Sequence, residues 1–94
     1  MKLIWTRQAL GELDAIFAYV ARDSELAAAA LVDIIERRAN GLLTHPEIGR
    51  PGRVPGTREL VVAGTPYIIP YRVRDGRVEI LAALHASRQW PDKI

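Results

Sequence analysis

The sequence predicts an α+β domain in the order β-α-α-β-β-β, a helical hairpin packed on a mostly antiparallel sheet. Three observations carry this. Residues 7–43 place apolar side chains at spacings of three and four, in two blocks parted by Asp23-Ser24. Residues 58–84 hold three apolar runs rich in Val, Ile, Leu and Tyr, separated by Gly64-Thr65-Pro66 and by Asp75-Gly76. Between these regions, Pro46, Gly49, Pro51, Gly52, Pro55 and Gly56 exclude regular structure.

Each element has its own local reason. Leu3-Ile4-Trp5 after Lys2 reads as a first strand, and Thr6 as the N-cap of the helix that follows, its hydroxyl able to accept from an orphan backbone amide. From Arg7 to about Arg22, Leu10, Leu13, Ile16, Phe17 and Val20 share one helical face, with Glu12 and Asp14 off it. Asp23 and Ser24 supply the break and a second cap. The second helix runs from about Glu25 to Leu43. Ala27 to Ala30 favour helix, Leu31, Ile34, Ile35 and Leu42 continue an apolar face, and Gly41 weakens the last turn. So short a joint predicts an antiparallel hairpin of helices.

After a loop over His45–Thr57, Arg58–Ala63 and Tyr67–Val73 read as strands, joined by Gly64-Thr65-Pro66. Asp75-Gly76 fits the positive φ angles of a type I′ hairpin turn. Arg77–Leu84 closes the sheet. Its nearly unbroken apolar run, VEILAAL, predicts a central strand buried on both faces. Pro70 conflicts with a regular ladder because it has no amide hydrogen, so a bulge or an unpaired side is expected beside it.

Ninety-four residues make one domain, 1–94. With no cysteine, disulfides and thiolate metal sites are excluded. His45 and His85 are the only histidines and do not form a metal-binding pair, so neither a metal nor another cofactor is expected. No apolar run approaches the roughly 20 residues a bilayer requires. The N-terminus lacks the long apolar core of a signal peptide, so no membrane association and a cytoplasmic location are expected. GRPGRVPG lacks the Gly-Lys-Ser/Thr ending of a phosphate-binding loop and leads into a strand, so it reads as a turn-rich connector.

The net charge of +2 hides an asymmetry. Residues 1–47 hold five Lys/Arg against seven Asp/Glu, and residues 48–94 hold eight against four. A basic second half suits an anionic partner or a solvated basic face. Candidate contact residues for a partner or nucleic acid are Arg50, Arg53, Arg72, Arg74, Arg77 and Trp90. Arg72 and Arg74 alternate onto one side of their strand, opposite Tyr67 and Tyr71. For chemistry on RNA, His85 is a candidate general acid, with Arg58, Arg72 and Arg88 to hold a phosphate. The plainer alternative is that His85 only ends the last strand and the arginines pair with Glu59, Asp75 and Glu79.

Several stretches taken together give a resemblance. WTRQALGELDAIFAYVA in the first helix, LLTHPEIGRPG after the second, GTREL, YIIPYRV and the ending VEILAALHASRQWP follow the order and spacing of the RelE/ParE superfamily, the toxins of type II toxin–antitoxin systems. The resemblance spans nearly the whole chain. It implies the RelE/ParE fold and a plasmid-stabilisation or growth-arrest toxin neutralised by a cognate ParD- or RelB-like antitoxin. Operator DNA would be bound indirectly, through that antitoxin. RelE-like members cleave mRNA on the ribosome; ParE-like members poison DNA gyrase. The RelE-like branch carries an arginine near the position of Ile68 in this chain, and the ending ALHASRQW is closer to the ParE-like close, so the ParE-like branch is favoured. That branch implies no chemistry by the chain itself. A RelE-like chain would be an endoribonuclease with His85, Arg88 and Arg58 as its catalytic residues, and a third alternative is a non-toxic corepressor bound to antitoxin.

Overall fold

The computed structural model describes residues 1–87. In chain order the elements are β1 (Lys2–Trp5), α1 (Arg7–Ala21), α2 (Glu25–Asn40), a 3-10 turn (Gly41–Leu43), β2 (Arg50–Pro51), β3 (Arg58–Val61), β4 (Tyr67–Arg74), β5 (Arg77–Ile80) and β6 (Leu84–His85). Both predicted caps form. Thr6 accepts the amide of Ala9 and Ser24 that of Ala27, each at 3.1 Å, and such a cap stabilises its helix by about 1 kcal/mol. Helix α2 stops at Asn40, short of the expected Leu43, because the chain tightens into the 3-10 turn from Gly41.

The sheet order is β1-β5-β4-β3-β2, with β6 pairing the start of β4. Strand β1 runs parallel to β5, and every other pair is antiparallel. The helical hairpin covers one face. Ala9, Leu13 and Ile16 of α1 and Ile35, Ala39 and Leu42 after them pack with Leu60, Ile69, Tyr71, Val78 and Ile80 of the sheet. The inward face of α1 is rotated from the expected one: Ala9 is fully buried, whereas Leu10 and Phe17 are 48% and 39% exposed. The hairpin turn is as expected, with φ of 53° at Asp75 and 69° at Gly76.

Two features depart from the expected sheet. Strand β2 forms inside the predicted loop, where Arg50 pairs with Glu59 and Pro51 with Arg58. A two-residue edge strand containing proline leaves no periodic signal. The expected last strand, Arg77–Leu84, is broken in two. Between the rungs Tyr71–Ile80 and Ile68–Leu84, the residues Leu81, Ala82 and Ala83 face only Ile69 and Pro70, so the last strand carries one extra residue. The carbonyl of Pro70 accepts the amide of Leu81 at 2.8 Å. In an antiparallel ladder the N–H and C=O of one residue point to the same neighbour. The hydrogen-free nitrogen of Pro70 therefore faces the bulge, where no ladder bond is required of it. Strand β5 lies between β1 and β4 with Val78, Glu79 and Ile80 buried, while β4 takes the centre of the sheet.

Candidate functional site

The bulge decides where His85 goes. In an unbroken strand His85 would share its face with Arg77 and Glu79, an even number of residues before it. The extra residue reverses the alternation, and His85 stands opposite Tyr67 on the face that the helices cover. Its ring meets that of Tyr67 edge-on, with centroids 5.6 Å apart and planes at 81°. The amide of Ser87 donates to Nδ1 of His85 at 3.2 Å, and the Ser87 hydroxyl lies 2.8 Å from the same atom. A backbone amide can only donate, so Nδ1 is the acceptor and the neutral ring carries its hydrogen on Nε2. Around His85 a cleft of about 590 Å³ opens between α1 and the end of the sheet, lined by Glu12, Ile16, Tyr19, Tyr67, Ala83 and Ser87 among others. The carboxylate of Glu12 accepts the amide of Ala83 at 3.1 Å, taking a donor that the bulge turns out of the ladder.

The arginines occupy the opposite face. The two-residue hairpin pairs Arg74 with Arg77 and Arg72 with Glu79, so three guanidinium groups converge on one carboxylate. Arg72 Nε lies 2.6 Å and Arg74 Nε 3.1 Å from Glu79 Oε1, and Arg77 Nη2 lies 3.5 Å from Oε2. The hydrogen bond from Arg72 holds the Glu79 carboxyl below the usual carboxylate range against the opposing effect of burial, and the fields of Arg74, Arg72 and Arg77 add to it. Arg72 and Arg74 both approach Glu79 through Nε. Lys2, in register with Arg77, adds a further positive charge to this face.

Arg58 is committed elsewhere. Its Nη1 donates to the carbonyls of Glu47 at 3.2 Å and Gly49 at 2.8 Å, tying the loop before β2 to the sheet. Tyr71 completes the tie, accepting the Gly49 amide at 2.9 Å and donating to the Pro46 carbonyl at 2.7 Å. Burial pushes the Tyr71 phenol up, with the Gly49 amide and Arg58 opposing. Arg58 and His85 flank β4 beside Tyr71 and Tyr67. Four residues of strand separate those positions, about 13 Å. Arg50 bonds Glu59 at 2.7 Å. Arg53 is exposed on the loop before β3. Arg88 and Trp90 lie outside the described residues.

Of the expected catalytic set, then, the structure does not bring His85 and Arg58 together, and Arg72 lies across the sheet from His85. The arginine cluster assembles, but around the acidic partner Glu79 that the plainer alternative assigned to it. One residue with a clear structural role carries no signal of it in the sequence. Glu12 reads in sequence as a solvent-facing helix residue, and its bond to Ala83 spans 71 positions. Glu79 does carry one, because a two-residue turn at 75–76 fixes its register against Arg72.

Comparison with known proteins agrees with this architecture. The family model of the ParE toxin of type II toxin–antitoxin systems, parDE, matches residues 3–90. The provisionally named toxin Y4kP of Sinorhizobium fredii is 50% identical, with 99% of this chain and 96% of that protein aligned. Toxin RelE2 of Caulobacter vibrioides is 40% identical over 93% of this chain and 97% of its own length. A chain of the chromosomal ParDE toxin–antitoxin system from P. aeruginosa superposes with a TM-score of 0.81 at 34% identity, covering 90% of this chain and 95% of that one. With the helical hairpin, the mixed sheet and the match along 3–90 all in agreement, the chain belongs to the ParE toxin family of type II toxin–antitoxin systems.

Proposed function

We propose that this chain acts as a ParE-type toxin that inhibits DNA gyrase by a protein–protein contact, in the cytoplasm, and is held inactive by a cognate antitoxin. The observation that carries the reading is the placement of His85 and the arginine cluster on opposite faces of the sheet. A general acid must come within hydrogen-bond reach of the atom it protonates while the charge-stabilising groups hold the same phosphate. Groups separated by the sheet cannot serve one phosphate, whereas inhibition by contact needs only a surface. Arg72, Arg74 and Arg77 supply a rigid basic surface, joined by the exposed Arg50 and Arg53. The antitoxin has apolar side chains to cover on the helical hairpin: Leu10, Phe17, and Leu26, which is 84% exposed. The parDE name of the matched family and the ParDE origin of the similar structure support an antitoxin of that kind.

The test is gyrase supercoiling and DNA cleavage with purified, antitoxin-free chain. Trapped cleavage complexes are expected, together with their loss when the antitoxin is added. Unaffected supercoiling at high excess of folded protein would overturn the reading. Cleavage of mRNA on primed ribosomes would then place the chain with the RelE-like nucleases.

A further inference from the structure

We propose that the cleft between α1 and the β4–β6 end of the sheet receives an arginine side chain presented by a partner polypeptide, with Glu12 as its counter-ion and Tyr19, Tyr67 and His85 as its walls. The proposal does not depend on which target the toxin has.

The charge of the cleft is the first reason. The chain carries a net +2, yet among the described residues no lysine or arginine lines this cleft, and Glu12 is the one carboxylate there. That carboxylate is held in place. Its backbone sits in the middle of α1 and Oε1 takes the Ala83 amide, while Oε2 makes no hydrogen bond among the described residues. An oriented carboxylate oxygen in a concave site bids for a cation, and it loses little freedom on binding one.

The walls are the second reason. Tyr67 and His85 are fixed edge to face, and Tyr19, one helical turn beyond Ile16, leaves 68% of its surface exposed at the rim. Aromatic faces beside a carboxylate favour a flat, weakly hydrated cation. A guanidinium stacks on a ring while its N–H groups reach acceptors in its own plane, which a compact ammonium does not do as well. The Ser87 hydroxyl and the tyrosine hydroxyls offer further acceptors at the cleft. The bulge links the two reasons, since the same extra residue turns the Ala83 amide to Glu12 and His85 to Tyr67.

The experiment follows the amide and ring resonances of the full chain by NMR during titration with three probes: acetyl-Gly-Arg-Gly-amide, the same peptide with citrulline in place of arginine, and uridine monophosphate. The arginine peptide is expected to shift the Ala83 amide and the Tyr67 ring saturably. The neutral citrulline peptide should bind at least ~10-fold more weakly, as should the arginine peptide to Glu12→Gln. That variant keeps an oxygen for Ala83, so its amide spectrum elsewhere should match the parent, and Tyr19→Ala should weaken binding without moving the Ala83 resonance of the free protein. Equal binding of the citrulline peptide, no effect of Glu12→Gln, or no saturable shift at Ala83 would overturn the proposal. Tighter binding of the nucleotide than of the arginine peptide would overturn it in favour of a base-stacking site.

Discussion

The carbonyl of Pro70 accepts the amide of Leu81 at 2.8 Å, the last bond between β4 and its neighbour before the register gains a residue. Strand propensity says that replacing this proline with valine should help, because valine suits a central strand. The structure gives the opposite sign. Pro70 is fully buried, and valine there would bring an amide hydrogen into the bulge. Leaving it unpaired costs about 1–3 kcal/mol, and the unfolded chain would also regain freedom that proline denies it. Pro70→Val is therefore expected to lower the stability measured by urea denaturation by about 1–3 kcal/mol, and an unchanged or higher midpoint would show that the bulge straightens to pair the new amide.

A second prediction concerns the tie between loop and sheet. A Cβ at Gly49 would lie 2.6 Å from both Cε1 and the hydroxyl oxygen of Tyr71 and 2.9 Å from the Glu59 carbonyl. One of those neighbours is backbone, so the loop itself must move. Gly49→Ala should cost about 1–3 kcal/mol through overpacking. Tyr71→Phe removes the partner of the buried Gly49 amide and of the Pro46 carbonyl, for a similar loss of about 1–3 kcal/mol. Because both variants loosen the same tie, the double variant should lose clearly less than the sum. Additive losses would show that the two contacts act independently.

The arginine cluster makes stability depend on pH in a defined direction. Arg72 holds the folded carboxyl of Glu79 below its ordinary 4.5. The native state then binds fewer protons here than the unfolded chain. The contribution of Glu79 is fully present above about 4.5 and is lost as pH falls through the lower folded value. Glu79→Gln leaves three guanidinium groups around a neutral amide, so the variant should be less stable than the parent at pH 7. The gap should narrow as pH falls below 4.5, where the parent takes up its proton. Denaturation curves at a series of pH values test this, and a gap that stays constant or widens on acidification would contradict it.

Much of this fold is written locally. Thr6 and Ser24 cap their helices, and Asp75-Gly76 turns the hairpin, because each device acts within a few residues. Pro70 announced an irregularity for the same reason: a missing hydrogen is visible in the sequence. What the sequence could not say is which strand would absorb it. The bulge sits in the neighbouring strand, and its apolar residues Leu81, Ala82 and Ala83 continue a pattern that reads as regular. One residue of register then separates His85 from the arginines with which it would otherwise share a face. The site was hard to read for that reason, although its residues were named. Glu12 became legible only when α1 was packed against the far end of the chain.

The opposite faces also make a prediction for function. If the toxin works by contact through its basic face, Arg74→Ala should weaken gyrase inhibition and His85→Ala should leave it intact. Arg74 suits the test because its side chain is 54% exposed, and Arg72 and Arg77 still satisfy Glu79 without it. The fold should therefore change by no more than about 0.5 kcal/mol. One exposed charge at a contact is worth about 1 kcal/mol, so roughly five-fold more Arg74→Ala protein should be needed for half-inhibition of supercoiling. The salt dependence of inhibition should also be shallower, since screening acts on the charge that was removed. His85→Ala replaces a side chain at the rim of the cleft on the other face, and its inhibition curve should overlay that of the parent chain. The reverse pattern, with His85→Ala inactive and Arg74→Ala unaffected, would move the working surface to the α1 side of the sheet and leave the arginine cluster a structural role around Glu79.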